Sequence, residues 1–226
     1  MGPVMIKYGK GGGCMRDFPV FTTENGVGSL VLKEIPYCGV AYIIIRDSAF
    51  PAEFLNECVE FCRAVGAEQI FASGHVILEE HPFYTSVLQM TGTSITIDET
   101  DACLFPVTEK TLSHWRELYN TRMSNVDNAS YMSERAAQEL LKTGDAYFVH
   151  KDGVLLGIGK ASGSRIDCVA SAKAGSGRKV VSALVHGLLS DPITLEVAST
   201  NFRAIRLYES MGFIKTSEIS RWYKII

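Results

Sequence analysis

No stretch of this chain approaches the roughly 18 consecutive apolar residues that a membrane-spanning helix needs. The start shows no charged-then-apolar leader, and Ile6 stands where a myristoylation signal would require Ser or Thr. Excess positive charge is also missing. The formal net charge is −3, so no basic field points to nucleic acid or to acidic membranes. The six cysteines, at positions 14, 38, 58, 62, 103 and 168, form no CxxC pair. Cys58 and Cys62 are four apart on an expected helix, but no Cys/His pair completes a zinc site. Thiols in a reducing cytosol and no metal are therefore expected. The run Gly9-Lys10-Gly11-Gly12-Gly13 opens no helix, and Pro19 follows soon after, which excludes a Walker loop and leaves a connector. The expectation is a cytoplasmic protein with neither nucleic acid nor membrane as partner. Its 226 residues, 46% hydrophobic and 21% charged, are enough for one large domain or two small ones with an ordinary core.

What is present gathers near the C-terminus. Ile166-Asp167-Cys168-Val169-Ala170 reads as a strand and runs into Lys173-Ala174-Gly175-Ser176-Gly177, after which Arg178–Leu189 reads as a helix. Glycines one residue apart let the backbone turn tightly and bring bare N–H groups close to a ligand. The helix start adds its positive dipole end at the same spot. Arg178 and Lys179 have the wrong sign for that dipole, which makes sense if an anion sits there. A surface loop with a helix cap would read similarly, so the loop alone does not decide. Ile193–Val197 is the next expected strand, followed by a long pattern. Asn201 is followed by Ala204 three residues on, Leu207-Tyr208 at six and seven, and Gly212-Phe213 at eleven and twelve.

These residues resemble the GNAT superfamily of acyl-CoA-dependent N-acyltransferases, tightly over Ile166–Phe213 and more loosely from about Asp101. Upstream, the expected order is a strand at Ala102–Val107, helices at Thr111–Met123 and Ser133–Lys142, and strands at Ala146–His150, Val154–Ala161 and Arg165–Ala170. That order agrees with the family. The expected fold class is α/β (α+β), a GNAT-like mixed central sheet flanked by helices. One position departs from the pattern: the family's loop opens with Arg or Gln three residues before the first glycine, and here that residue is Ala172.

The first hundred residues read as a short strand at Met5–Tyr8, a hairpin (Phe18–Thr23 and Gly28–Ile35) about Asn25-Gly26, and an apolar strand, Tyr37–Arg46, buried on both faces. A helix at Ala52–Val65 ended by Gly66, a strand at Glu68–Ser73, a helix at Pro82–Met90 and a strand at Thr93–Ile97 follow. Element starts at Ala52 and Arg178, Glu68 and Ile193, and Phe83 and Asn201 are offset by 126, 125 and 118 residues. This suggests a tandem: a smaller, degenerate GNAT-like β-α-β-α unit over residues 1–100 and a full domain over 101–226. A generic α/β layer with coincidental order would read equally well. In the first copy, Arg46–Pro51 replaces the glycine loop; Pro51 lacks an N–H and Asp47 would repel phosphate, so no acyl-CoA is expected there.

The resemblance implies acetyl-CoA as cosubstrate. Its diphosphate would lie on Ala174, Gly175, Ser176 and Gly177, with Lys173 and Arg178 adding charge. Its pantetheine arm would pair with backbone groups of Cys168, Val169 and Ala170, and Asn201 would touch the arm or cap its helix. Tyr208 matches the family's proton donor to the leaving thiolate, although a core tyrosine would fit the same helix pattern. For the base, Glu196 comes first because its parity is opposite to Leu195 and Val197; a water chain is an equal alternative, and Asp167 lies on the neighbouring strand. His150 and His186 read as structural. The acceptor, an amine of a small molecule or a protein, would meet Trp115, Arg116, Tyr119, Arg122 and Tyr131. The implied function is N-acetyl transfer directly from acetyl-CoA to a primary amine. The alternative is a non-catalytic acyl-CoA sensor or structural module, and a homodimer is left open.

Overall fold

A computed structural model describes residues 19–98, 101–188 and 190–226. The strand expected at Met5–Tyr8, the glycine run at 9–13, Cys14 and Leu189 lie outside the described residues. The chain forms two compact units, one holding the residues up to Thr85 with Ser220–Ile226, the other Ser86–Ile219.

In the first unit, β1 (Val20–Thr22) and β2 (Gly26–Val31) make the expected hairpin, closed by Thr23 N–H donating to Gly26 O at 3.0 Å. A one-turn helix, α1 (Ile35–Cys38), leads to β3 (Val40–Ser48), which pairs antiparallel with β2. Helix α2 (Pro51–Ala64) follows, started by its proline, and buries Phe54, Leu55, Cys58 and Cys62 on one face. Glu57 on its outer side accepts from Thr23 Oγ1 at 2.6 Å and Asn25 Nδ2 at 2.8 Å, which ties the hairpin turn to the helix. Strand β4 (Gln69–Ser73) runs parallel to β3 without a break from Val40↔Gln69 to Ile44↔Ser73. The expectation for β3 holds for one face only. Ala41, Ile43 and Ile45 are buried under α2, whereas Tyr42 on the other face is half-buried and packs on Phe71 and Trp222.

The helix expected at Pro82–Met90 does not form. Val76–Glu80 makes a 3₁₀ turn and Phe83–Gly92 is a strand, β5. Phe83-Tyr84-Thr85 and Val87 are strand formers, and Leu88 and Met90 recur with the two-residue period of a strand, not with a helical one. The antiparallel register of β5 with β10 (Ile193–Ala198), from Val87↔Ala198 to Gly92↔Ile193, supplies the tertiary pairing that decides it. The 118-residue offset therefore loses its element. In its place, the 3₁₀ turn at Val76 precedes the helix starting at Phe202 by 126 residues, the spacing that also separates Pro51 from Gly177. Thr93–Ile97 is an irregular connection, not a strand; Ile95 and Ile97 still pack on the core.

In the second unit the strand order is β5-β10-β9-β8-β7-β6. These are β6 (Cys103–Pro106), β7 (Ala146–Lys151), β8 (Val154–Ser162) and β9 (Arg165–Ser171), joined as an antiparallel meander, with β10 parallel to β9. Helices α3 (Leu112–Met123) and α4 (Glu134–Thr143) form as expected, the latter capped by Ser133 Oγ accepting from Ala136 N–H at 3.2 Å. They cover one face through Trp115, Leu140, Phe148 and Ile158. Helix α5 (Gly177–Leu188) covers the other, with Val180, Val181 and Leu184 fully buried. Each such side chain contributes about 1.5–3 kcal/mol of burial. Helix α6 (Phe202–Ser210) adds Ile205 and Tyr208 to the same core, and β11 (Ile214–Lys224) ends the chain. Two glycines of β8 set how closely α5 approaches. A Cβ at Gly157 would meet Ala170 O at 2.4 Å and Val180 Cγ2 at 2.9 Å, and one at Gly159 would meet Leu184 Cδ1 at 2.4 Å. Among the described residues, no helix is long and apolar enough to cross a membrane.

Candidate functional site

The backbone between β9 and α5 turns as its glycines suggest. Gly175 has φ +80°, a left-handed conformation, with no neighbour among the described residues within 4 Å of where a Cβ would stand. The loop is anchored from below by β8: Ala172 N–H donates to Leu156 O at 2.9 Å. Ser176 is the buried pin of the turn. Its hydroxyl lies 2.6 Å from Leu156 O and 2.7 Å from Lys173 O, and its N–H donates to Lys173 O at 3.2 Å. Ser176 thus faces the protein. The N–H groups of Ala174, Gly175, Gly177, Arg178 and Lys179 have no acceptor among the described residues. They gather at the start of α5, where its dipole is positive, a ready place for an anion.

The basic residues there differ in their partners. Arg178 is tied down, its Nε donating to Asp98 Oδ1 at 2.7 Å, Nη1 to Ser210 Oγ at 3.1 Å, and Nη2 to Thr96 O at 3.2 Å. Lys173 and Lys179 are exposed. Arg122, from the last turn of α3, comes to the loop instead and donates from Nη2 to Ala172 O at 2.8 Å. The sequence placed it with the acceptor, and no local signal could reveal a contact 50 residues away.

Next to this loop the sheet opens. Parallel pairing of β9 with β10 stops after Thr194↔Arg165 and Leu195↔Ile166. Beyond that point β9 still pairs with β8 as far as Ser171↔Gly157, and β10 with β5 as far as Ala198↔Val87. Among the described residues, backbone groups of Cys168, Val169 and Ala170 that face β10 are therefore without a ladder partner there, the geometry that accepts one more extended chain.

Tyr208 lies close to this opening. Its ring is buried, 8% exposed, and meets Phe213 edge-on at 5.8 Å. Its hydroxyl has no hydrogen-bond partner among the described residues and is not one of the fully buried polar atoms, so it reaches a surface that solvent or a ligand can meet. Burial, and then the neighbouring Cys168 thiol, push its pKa above the ordinary value. Burial and the charge of Asp167 likewise raise Cys168 to about 12. Both groups hold their protons well past neutrality.

Asn201 caps α6, its Oδ1 accepting from Ala204 N–H at 3.2 Å, and its amide NH2 has no partner among the described residues. It lines a cavity of about 270 Å³ bounded by residues 125–127 and 200–203. Glu196 is placed elsewhere. Leu195 and Val197 point into the core that holds Tyr208, so Glu196 points to the other face of β10. There its Oε1 accepts from Arg165 Nη2 at 2.8 Å, and Arg165 Nε donates to Asp167 Oδ1 at 2.7 Å. Burial alone would raise the Asp167 carboxyl; Lys160, at 2.6 Å, and Arg165 outweigh it and hold the pKa below the usual range.

Of the residues expected near the acceptor, Trp115 is core, its Nε1 donating to Tyr147 O at 3.2 Å. Arg116 pairs with Glu134 at 3.4 Å, and Tyr119 donates its hydroxyl to Ser130 O at 3.1 Å.

By sequence, no family model and no curated protein matches the chain. Its structure is similar to many solved ones. A conserved protein of unknown function from Staphylococcus epidermidis superposes with a TM-score of 0.57 at 11% identity, over 93% of this chain and 94% of that one. A GCN5-related N-acetyltransferase from Anabaena variabilis superposes at 0.55 and 14% identity, over 92% of this chain and 62% of that one. The mixed sheet flanked by helices, opened between two parallel strands beside a glycine loop, has the fold of the GCN5-related N-acetyltransferases.

Proposed function

We propose that this protein is an N-acyltransferase that moves an acyl group, acetyl first among them, from acyl-CoA directly to a primary amine of a small molecule or a protein. The carrying observation is the opening between β9 and β10 beyond Ile166 and Leu195, set beside a loop of unpartnered N–H groups. In this reading, Ala174, Gly175 and Gly177 through Lys179 bind the diphosphate with their N–H groups. The free edge of β9 at Cys168–Ala170 pairs with the pantetheine amides, and the Asn201 amide reaches the same arm. The cosubstrate supplies an activated acyl group as a thioester. When the amine attacks the carbonyl carbon and the C–S bond breaks, Tyr208 gives its phenolic proton to the departing sulfur. The proton lost by the amine returns to the phenolate through solvent. A phenol above its ordinary value stays protonated at the pH where amines become free, near 10.

The unpartnered Tyr208 hydroxyl favours an enzyme over a mere binder, which has no use for it. Acetyl-CoA should raise the melting temperature following RT ln(1 + [L]/Kd). Tyr208→Phe should keep that shift and the unliganded stability, since no hydrogen bond is lost, while kcat falls about 10²-fold or more. Equal turnover would remove Tyr208 from the chemistry. Binding without turnover in the wild type would leave a sensor or structural module.

We further propose that the first unit derives from a second, degenerate copy. The support is the spacing: β3 and β9, α2 and α5, and the 3₁₀ turn and α6 start 125, 126 and 126 residues apart.

A further inference from the structure

The loop that would cradle a diphosphate carries less charge of its own than its sequence promises. Arg178 is neutralised by Asp98 and held by Ser210 and Thr96, so its guanidinium has little left for an anion. Ala172, where the loop begins, offers only a methyl group. Arg122 supplies what is missing. It is exposed, forms no ion pair with a carboxylate among the described residues, and uses one donor on Ala172 O at 2.8 Å. Its other donors have no partner among the described residues. That single bond fixes a full charge at the start of the loop, on the carbonyl two residues before Ala174, whose N–H, like that of Gly175, has no acceptor among the described residues. A guanidinium with its fork of donors free suits phosphate oxygens better than any other side chain.

We propose that Arg122 is the cationic clamp on the acyl-CoA diphosphate, reaching from α3 to serve the place that Ala172 leaves empty. This rests on the acyl-CoA reading above. It also takes Arg122 out of acceptor recognition.

The test uses the full chain with Arg122→Met, which keeps the stem and removes the charge, and measures Kd for CoA and for 3′-dephospho-CoA by calorimetry. Both ligands keep the diphosphate, so both should weaken by about tenfold or more and to the same degree. Wild-type affinity should fall with salt more steeply than the variant's. Ala172→Arg added to Arg122→Met should recover several-fold of the loss, which a lost structural tie between α3 and the loop would not do. Unliganded melting of each variant checks the fold. Unchanged affinity, a loss confined to CoA, or a loss that Ala172→Arg does not recover would each overturn the clamp. Failure of the wild type to bind either ligand would overturn the acyl-CoA reading itself.

Discussion

Cys168 and Glu196 show how a neighbour decides what a side chain can do. Cys168 stands on the free edge of β9, yet burial first and Asp167 second raise its pKa to about 12. At pH 8 an ordinary thiol of pKa about 8.5 is roughly one-quarter thiolate, whereas one at 12 is about one part in 10⁴. Because the shift is upward, reactivity is withheld at neutral pH and returns only as pH climbs towards 12. Iodoacetamide at pH 8 should therefore label the exposed Cys38 and Cys103 and leave Cys168 untouched on peptide mass analysis. Fast labelling of Cys168 would contradict the environment described. For Glu196, opposite parity to Leu195 and Val197 is legible in the sequence, but its partner is not. Arg165, 31 residues earlier, takes up the carboxylate that would have to accept a proton. A water chain is the better base in the proposed reaction. Glu196→Gln is expected to leave the ascending acidic limb of the kcat/KM profile, the one that reports a base, in place; its disappearance would restore Glu196 as base.

At the scale of elements, the glycines of β8 matter as much as those of the loop. Gly157 lies opposite Ser171, the last residue of β9, and its missing Cβ lets Ala170 O and Val180 come close. Gly157→Ala must move backbone on one side or α5 on the other, at a cost of roughly 1–3 kcal/mol. Urea unfolding should show it, and acetyl-CoA should bind more weakly because α5 carries the loop. Unchanged stability would mean that α5 packs more loosely than its buried face implies. The helices α2 to α6 were legible because their apolar spacing and caps are local. The β5 strand was missed although Leu88 and Met90 keep the two-residue period of a strand; the pairing that fixes it, with β10, comes more than 100 residues later. The opening between β9 and β10 was equally hidden. Periodicity places strands, but where two of them part depends on both at once.

Across the whole molecule, each unit holds one pair of parallel strands, and the two pairs end differently. In the second, pairing ends at Ile166 and Leu195 and the strands diverge. In the first, β3 and β4 stay paired through Ile44↔Ser73. Gly74, at φ +102°, then brings the chain so near that a Cβ would lie 2.3 Å from Ile45 O. No slot remains for an extended arm. Nor does α2 begin like α5: Pro51 at its start has no N–H, and Phe50 before it offers no side-chain cap. The sequence shows Arg46–Pro51 without a glycine, but the unbroken pairing of β3 with β4 is not legible in it. If the chain is a tandem, residues 1–100 and 101–226 are its copies. The ends of those copies are then exchanged, since β5 pairs with β10 and the end of β11 with β4. The proposed reading then gives the chain two related frames and one cofactor site. Calorimetric titration with acetyl-CoA should give one site per chain. Gly175→Val should weaken it: at φ +80° a β-branched residue is strained although no neighbour crowds it, by about 1–2 kcal/mol. Two sites per chain, or a site indifferent to Gly175, would mean that the first unit binds where its strands show no room.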